Sequence, residues 1–198
     1  MITTEYKDRL RQDGAWALRE VSSFLHGDHR LYRAVIKICE ILESNGCHYA
    51  LTDGIAMVLH GSCRVTSRID ILVDERNRDL LNRSLASNGY LCDKTIAGEF
   101  HDPLSEVPVR LWSSREFPLR TEATENRFGF RVLQLYALIE WKLARARARP
   151  RSYKHSSDVQ SICQDLGLNP EIAERLTSDL RDDFLKLCEH QQAELIEL

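Results

Sequence analysis

The chain has 198 residues, 27 Lys and Arg against 30 Asp and Glu, a formal net charge of −3, and 43% hydrophobic residues. That length suits one ordinary domain or a core with a helical appendage, and the apolar content argues against a disordered chain. A charge balance just below zero, with a pI of about 6.2, excludes broad electrostatic binding to nucleic acid while allowing a local basic patch.

Helical spacing runs from about Tyr6 to Leu25, with Leu10, Trp16, Leu18, Val21 and Leu25 as the face to be buried. Gly27-Asp28 interrupts it, and Asp28 offers a cap for a second helix from about Arg30 to Ser44, which Asn45-Gly46 stops. A strand is expected at Cys47 to Leu51, followed by a Gly turn, a short helix, a loop and a second strand at Arg68 to Val73. Asp74 to Asn88 reads as a helix after an Asp cap, Tyr90 to Ile96 as a strand, and Gly98 to Ser105 as a loop. Glu106 to Trp112 reads as a strand that Pro108 pushes to an edge or a bulge. Ser113 to Arg127 is irregular, with a short strand near Arg127 to Phe130. From about Arg131 to Arg149 nothing breaks the best helix of the chain. His155 to Leu166 is another helix, ended by Gly167, and Asn169-Pro170 opens the last one. The pattern predicts an α+β chain (α/β mixed) with a small sheet. Its parts are an N-terminal helical lead over 1–28, a core over 29–127 and a helical region over 128–198.

Six cysteines, Cys39, Cys47, Cys63, Cys92, Cys163 and Cys188, form no C-x-x-C pair, and no charged start followed by an apolar run marks a secretory signal. Reduced thiols without a metal role, and a cytoplasmic location, are the expectation. No stretch of the sequence is apolar for long enough to span a bilayer.

Leu51 to Val73, LTDGIAMVLHGSCRVTSRIDILV, concentrates the chemistry. Side chains on a strand repeat every second residue, so Arg68 and Asp70 point the same way at the mouth of the second strand. Gly54 either lets the backbone approach a phosphate or serves a tight turn, and Asp53 beside it opposes a triphosphate. Asp70 is either a metal ligand or the ion-pair partner of Arg68 or Arg110. The pair is favoured, because an isolated buried charge is costly. Arg68 and Arg110 are either an anion site suited to bidentate phosphate contacts or structural partners of Asp53 and Asp70. His60 reads as a turn residue, and His101 and Asp102 sit in a polar loop without an evident partner.

The order Gly54, Leu59-His60-Gly61, Arg64, Thr66 and Ile69-Asp70-Ile71-Leu72-Val73 resembles the Pol β-like nucleotidyltransferase superfamily, above all its small bacterial AbiEii-like or minimal members. Leu138-Ile139-Glu140-Trp141-Lys142-Leu143-Ala144 fits a later block of that pattern. Arg151, Lys154, Asp158 and Val159 fit another, with His155 where Asp is usual. The resemblance spans roughly Tyr49 to Leu166. It implies a small mixed-sheet nucleotidyltransferase core with flanking helices, and it places Lys142 and Lys154 where the family contacts the nucleotide's phosphates. On helix spacing alone, Lys142, Arg145 and Arg149 share a face that also reads as a solvated surface.

The departures fall on the metal site. The family's first Gly is Asp53, its first acid is Arg68, and its third carboxylate, sought in Val107 to Trp112, falls on Arg110. By resemblance the ordinary activity takes Mg2+, a hard cation held by carboxylates and phosphates. Two exchanges of Asp for Arg shift the local charge by about four units, and arginine keeps its proton. Three readings follow. The first is a catalytically degenerate protein of this fold that binds a nucleotide, a phosphorylated ligand or a protein partner. The second is an active enzyme of the type IV toxin kind, transferring a nucleotide to RNA or protein, with Mg2+ held by acids drawn from Glu75, Glu99, Asp102 and Glu106. The third is an interaction or regulatory subunit with no ligand. Only the second reading calls for a cofactor, and none of the three calls for a membrane.

Overall fold

The computed structural model describes Arg9 and residues 12–26, 29–102, 104–115, 117, 123–149 and 153–196. Its contacts divide the chain into two units, Met1–Leu133 and Gln134–Leu198.

The first unit begins with α1 (Gly14–His26) and α2 (Arg30–Ser44). Leu31, Ala34, Val35, Ile38, Cys39, Ile41 and Leu42 recur at helical spacing on α2, and all are buried. Asn45 caps that helix and Gly46 follows at φ 62°, the left-handed conformation that glycine adopts without a Cβ penalty. Next come β1 (Tyr49–Thr52), α3 (Asp53–Leu59), β2 (Ile69–Val73), a 3-10 turn at Glu75–Asn77 and α4 (Arg78–Ser87). The unit closes with β3 (Leu91–Cys92), β4 (Glu99–His101), β5 (Pro108–Ser113), β6 (Thr124–Arg127) and β7 (Phe130–Leu133).

The described strands form one sheet in the order β3-β4-β5-β2-β1-β7-β6. It is mixed: β2 runs antiparallel to β1 and parallel to β5, and β1 runs parallel to β7. The two faces differ in chemistry. Tyr49, Leu51, Ile69, Ile71, Val73, Phe100, Val109 and Leu111 belong to one apolar cluster with the buried residues of α2. Period-two alternation sends Thr52, Asp70, Glu99, Arg110 and Trp112 to the other face. That face holds the candidate site.

Several sequence expectations shift. Arg131 to Leu133 are not helical: they finish β7, which pairs with β6 as a hairpin, so the sheet extends past residue 127. Apolar Val132 and Leu133 are buried by strand pairing, and period alone cannot separate this from helix over so few residues. The helix begins only at Leu135. Glu99–His101 is a strand, not loop, and the strand sought over Tyr90 to Ile96 shrinks to Leu91–Cys92. β5 is an interior strand, and Pro108 is tolerated because it occupies the first position. The helix from Asp74 opens as a 3-10 turn, with the Asp74 side chain capping the Arg76 N–H as expected. Residues 1–8, 10 and 11 of the lead, Leu10 of the expected buried face among them, and Gly27 and Asp28 lie outside the described residues, while α1 packs against α2 and α3.

The second unit contains α5 (Leu135–Ala148), α6 (Lys154–Leu166), a 3-10 turn at Pro170–Arg175 and α7 (Ser178–Ile196). Pro170 thus opens a 3-10 turn rather than the last helix. Among the described residues no helix is long and apolar enough to cross a membrane. The architecture is α+β, a mixed sheet with flanking helices and a helical C-terminal unit.

Candidate functional site

Asp70 lies in β2 with Thr52 beside it on β1 and Arg110 beside it on β5. It is 2% exposed. Arg68 Nε donates to its Oδ2 at 3.0 Å, and the indole Nε1 of Trp112 donates to its Oδ1 at 2.9 Å. Both carboxylate oxygens are therefore engaged. Of the two partners left open by the sequence, Arg68 takes the pair. Arg110, opposite Asp70 in register, instead lays its guanidinium over the Trp112 ring at 4.2 Å. The sequence did not single out Trp112. Its signal was its position two residues after Arg110, which puts it on the same face.

Burial pushes the Arg68 guanidinium down, but Asp70, Asp53 and Glu99 together outweigh that and hold it above its ordinary value. All three acids are buried. A guanidinium thus sits among acidic groups within reach of their fields. Mg2+ demands near-octahedral oxygen ligands at about 2.0–2.1 Å. Here the position two residues before Asp70, just ahead of β2, carries Arg68, the facing strand carries Arg110, and Asp70 already accepts two hydrogen bonds. The residues present around Asp70 do not fit Mg2+.

Gly54 has a steric reason. A Cβ there would stand 2.5 Å from Thr66 Oγ1, whose hydroxyl donates to the Arg68 carbonyl at 3.1 Å. Glycine lets the 64–68 loop cross over the start of α3, and that crossing aims Arg68. Asp53 adopts φ 53° while 3% exposed. A left-handed residue is the backbone need that a Gly at this position would meet, and Asp is among the few other residues that tolerate it.

His60 is structural. It is 5% exposed, and its Nε2 lies 2.8 Å from the Leu133 carbonyl, joining the end of α3 to β7. Burial lowers its pKa to about 4, so the ring is neutral at pH 7. Of the other acids considered, Glu75 is held by Ser113, Arg78 and Arg115. Asp102 accepts from Lys37 at 3.1 Å and Glu106 from Arg30 at 3.3 Å. Both Asp102 and His101 therefore have partners, His101 facing Asp93 and Glu99 from β4.

The remaining basic positions lie in the second unit. Lys142 is fully buried, and its Nζ donates to Asp158 at 2.6 Å. Lys154, the first residue of α6, is exposed. The face expected to unite Lys142, Arg145 and Arg149 is split: Lys142 is sealed, Arg145 Nε donates to His155 Nε2 at 3.2 Å, and Arg149 is exposed.

No protein-family model matches the chain, and no curated protein matches its sequence. Solved structures do match. The solution structure of the antibiotic-resistance factor ANT(2'')-Ia aligns at TM-score 0.55 and 16% identity, over 80% of this chain and 95% of that one. A nucleotidyltransferase-like antigenic protein from Paracoccidioides brasiliensis aligns at TM-score 0.53 and 16% identity, over 83% and 89%. ANT(2'')-Ia in complex with adenylyl-2''-tobramycin aligns at TM-score 0.52 and 17% identity, over 78% and 96%. The chain has a nucleotidyltransferase fold.

Proposed function

We propose that this chain is a catalytically degenerate member of the Pol β-like group, near the AbiEii-like or minimal nucleotidyltransferases, that binds a nucleotide or another phosphorylated ligand without metal. The observation that carries the reading is the double engagement of Asp70 by Arg68 and Trp112. Each oxygen of that carboxylate already accepts a hydrogen bond, which leaves one lone pair apiece, and the nearby guanidinium repels a cation that approaches them. Arg110 supplies the binding chemistry. It is half-buried, stacked on an indole, and has no carboxylate at hydrogen-bond distance among the described residues. A guanidinium held flat in this way loses little freedom when it forms a bidentate contact with phosphate. Arg68 offers a second, half-exposed guanidinium on the same face.

The test is calorimetry of the full chain with ATP, GTP, CTP and UTP in excess EDTA. The reading expects binding of at least one of them, weakened roughly tenfold or more by Arg110→Ala, as loss of a charged hydrogen bond predicts. The absence of binding to all four would point instead to a protein partner and a pocket closed by its own salt bridge.

A further inference from the structure

β3 and β4 end the sheet on the side away from β6. On β4, Glu99 and His101 stand two residues apart and so share a face. β3 pairs Leu91 with His101 and Cys92 with Phe100, which brings Asp93 beside Glu99, and the Asp93 N–H donates to the Glu99 carbonyl at 2.8 Å. His101 Nε2 lies 3.3 Å from Asp93 Oδ2 and 3.6 Å from Glu99 Oε1. The ligand atoms of the three residues all fall within 4.8 Å of one another.

This cluster is short of donors. One imidazole nitrogen carries at most one proton, and two carboxylate oxygens converge on it. Asp93 is anchored through its other oxygen, which accepts from the Thr95 N–H and hydroxyl at 2.6 Å and the Ile96 N–H at 3.0 Å. Glu99 is the informative member. It is 6% exposed, its carboxylate accepts no hydrogen bond among the described residues, and it is aimed at the same point. Buried carboxylates are costly without such a partner, and what offsets the cost at Glu99 is the field of Arg68 together with the His101 ring. An ion with bonds of about 2.0–2.2 Å, octahedral or tetrahedral, sets adjacent ligands about 3 Å apart, close to the two separations measured from Nε2.

We propose that Asp93, Glu99 and His101 form a binding site for a divalent cation of the Mn2+ and Zn2+ class. One imidazole and two carboxylates suit such ions. Half-exposed His101 leaves coordination positions open to water. Pairing runs from Asp70 through Arg110 to Glu99, so the site shares the sheet face with Asp70 but lies two strands away. Its three ligands are not those of the ligand reading above, although Glu99 faces Arg110 across the strand pair. Its effect is to pin the two-residue strand β3 to β4.

The experiment titrates Mn2+ into the EDTA-stripped full chain and reads free Mn2+ by electron paramagnetic resonance. Mn2+ is chosen because it ignores the exposed thiols Cys63 and Cys92. One Mn2+ per chain is expected, with a rise in the melting midpoint. Asp93→Asn and His101→Gln should each weaken it roughly tenfold or more and melt like the parent without metal, while Asp70→Asn should bind as the parent does. In the parent chain, bound Mn2+ should also broaden the His101 ring resonances before those of other histidines, a readout that needs no variant. Failure of the parent to bind, tight binding by both Asp93→Asn and His101→Gln, loss confined to Asp70→Asn, or broadening centred elsewhere would each overturn the site.

Discussion

The two units each hold a buried ion pair of the same chemical kind, and the pairs differ in how they are closed. Lys142–Asp158, in the second unit, spans 2.6 Å with side chains 0% and 1% exposed. Arg68–Asp70, in the first, spans 3.0 Å with a buried acid but a cation 31% exposed. The sealed pair has no route to an outside ligand, so its charges serve architecture. The half-open pair has a guanidinium edge facing water and a second guanidinium, Arg110, stacked nearby. A basic side chain paired with an Asp therefore means different things in the two places. Burial of the cation, rather than the presence of a Lys or Arg, separates a strut from a candidate ligand contact.

The largest effect is expected where the pair is sealed. Lys142→Ala strands a buried carboxylate and should cost about 3–5 kcal/mol, the range for breaking a buried pair. Urea denaturation would read this, and replacing both partners by apolar residues should recover much of it. A phosphate role for Lys142 would instead lower ligand affinity with stability unchanged. Next in size is His60. Its folded pKa, about 4, lies below the ordinary 6.5, so the unfolded chain binds more protons between those values. Stability is then complete above about pH 6.5 and falls as pH drops toward 4, by up to about 3 kcal/mol. His60→Gln should flatten that part of the stability–pH profile.

Arg68→Ala should cost less than the Lys142 change, about 2 kcal/mol, because solvent reaches its side chain and screens what remains. A loss as large as that of Lys142→Ala would erase the distinction between the pairs. The smallest effect belongs to Asp53→Gly. It relieves a left-handed backbone worth about 1 kcal/mol and removes an acid whose field supports Arg68. These oppose, so the melting midpoint should barely move.

Much of the fold was legible because β1, α3 and β2 are short and strongly patterned, with Gly54 in the first turn of α3 and Gly61 just after its end. Leu59-His60-Gly61 and Ile69 to Val73 kept their spacing, and the fold followed from it. β7 was not legible: Phe130 to Leu133 joins the Leu135 helix through a single residue, Gln134, so strand and helix read as one apolar run. β4 hid for a similar reason, being three residues long between polar loops. At the site, the expected strand from Arg68 starts one residue later, at Ile69, yet Arg68 still reaches Asp70 from the bend that precedes it. Sequence alone offered no partner for Asp70's second oxygen, because the Trp112 indole arrives from another strand and depends on register. Nor could it show that Asp93 meets His101, a contact made by pairing across a turn.

If Asp70 takes no part in a metal-dependent transfer, nucleotide titration with and without Mg2+ will show it. Affinity for ATP, GTP, CTP or UTP should be the same in EDTA and in excess Mg2+, in the parent chain and in Asp70→Asn alike. A gain of roughly tenfold or more on adding Mg2+, abolished by Asp70→Asn, would instead make Asp70 a metal ligand.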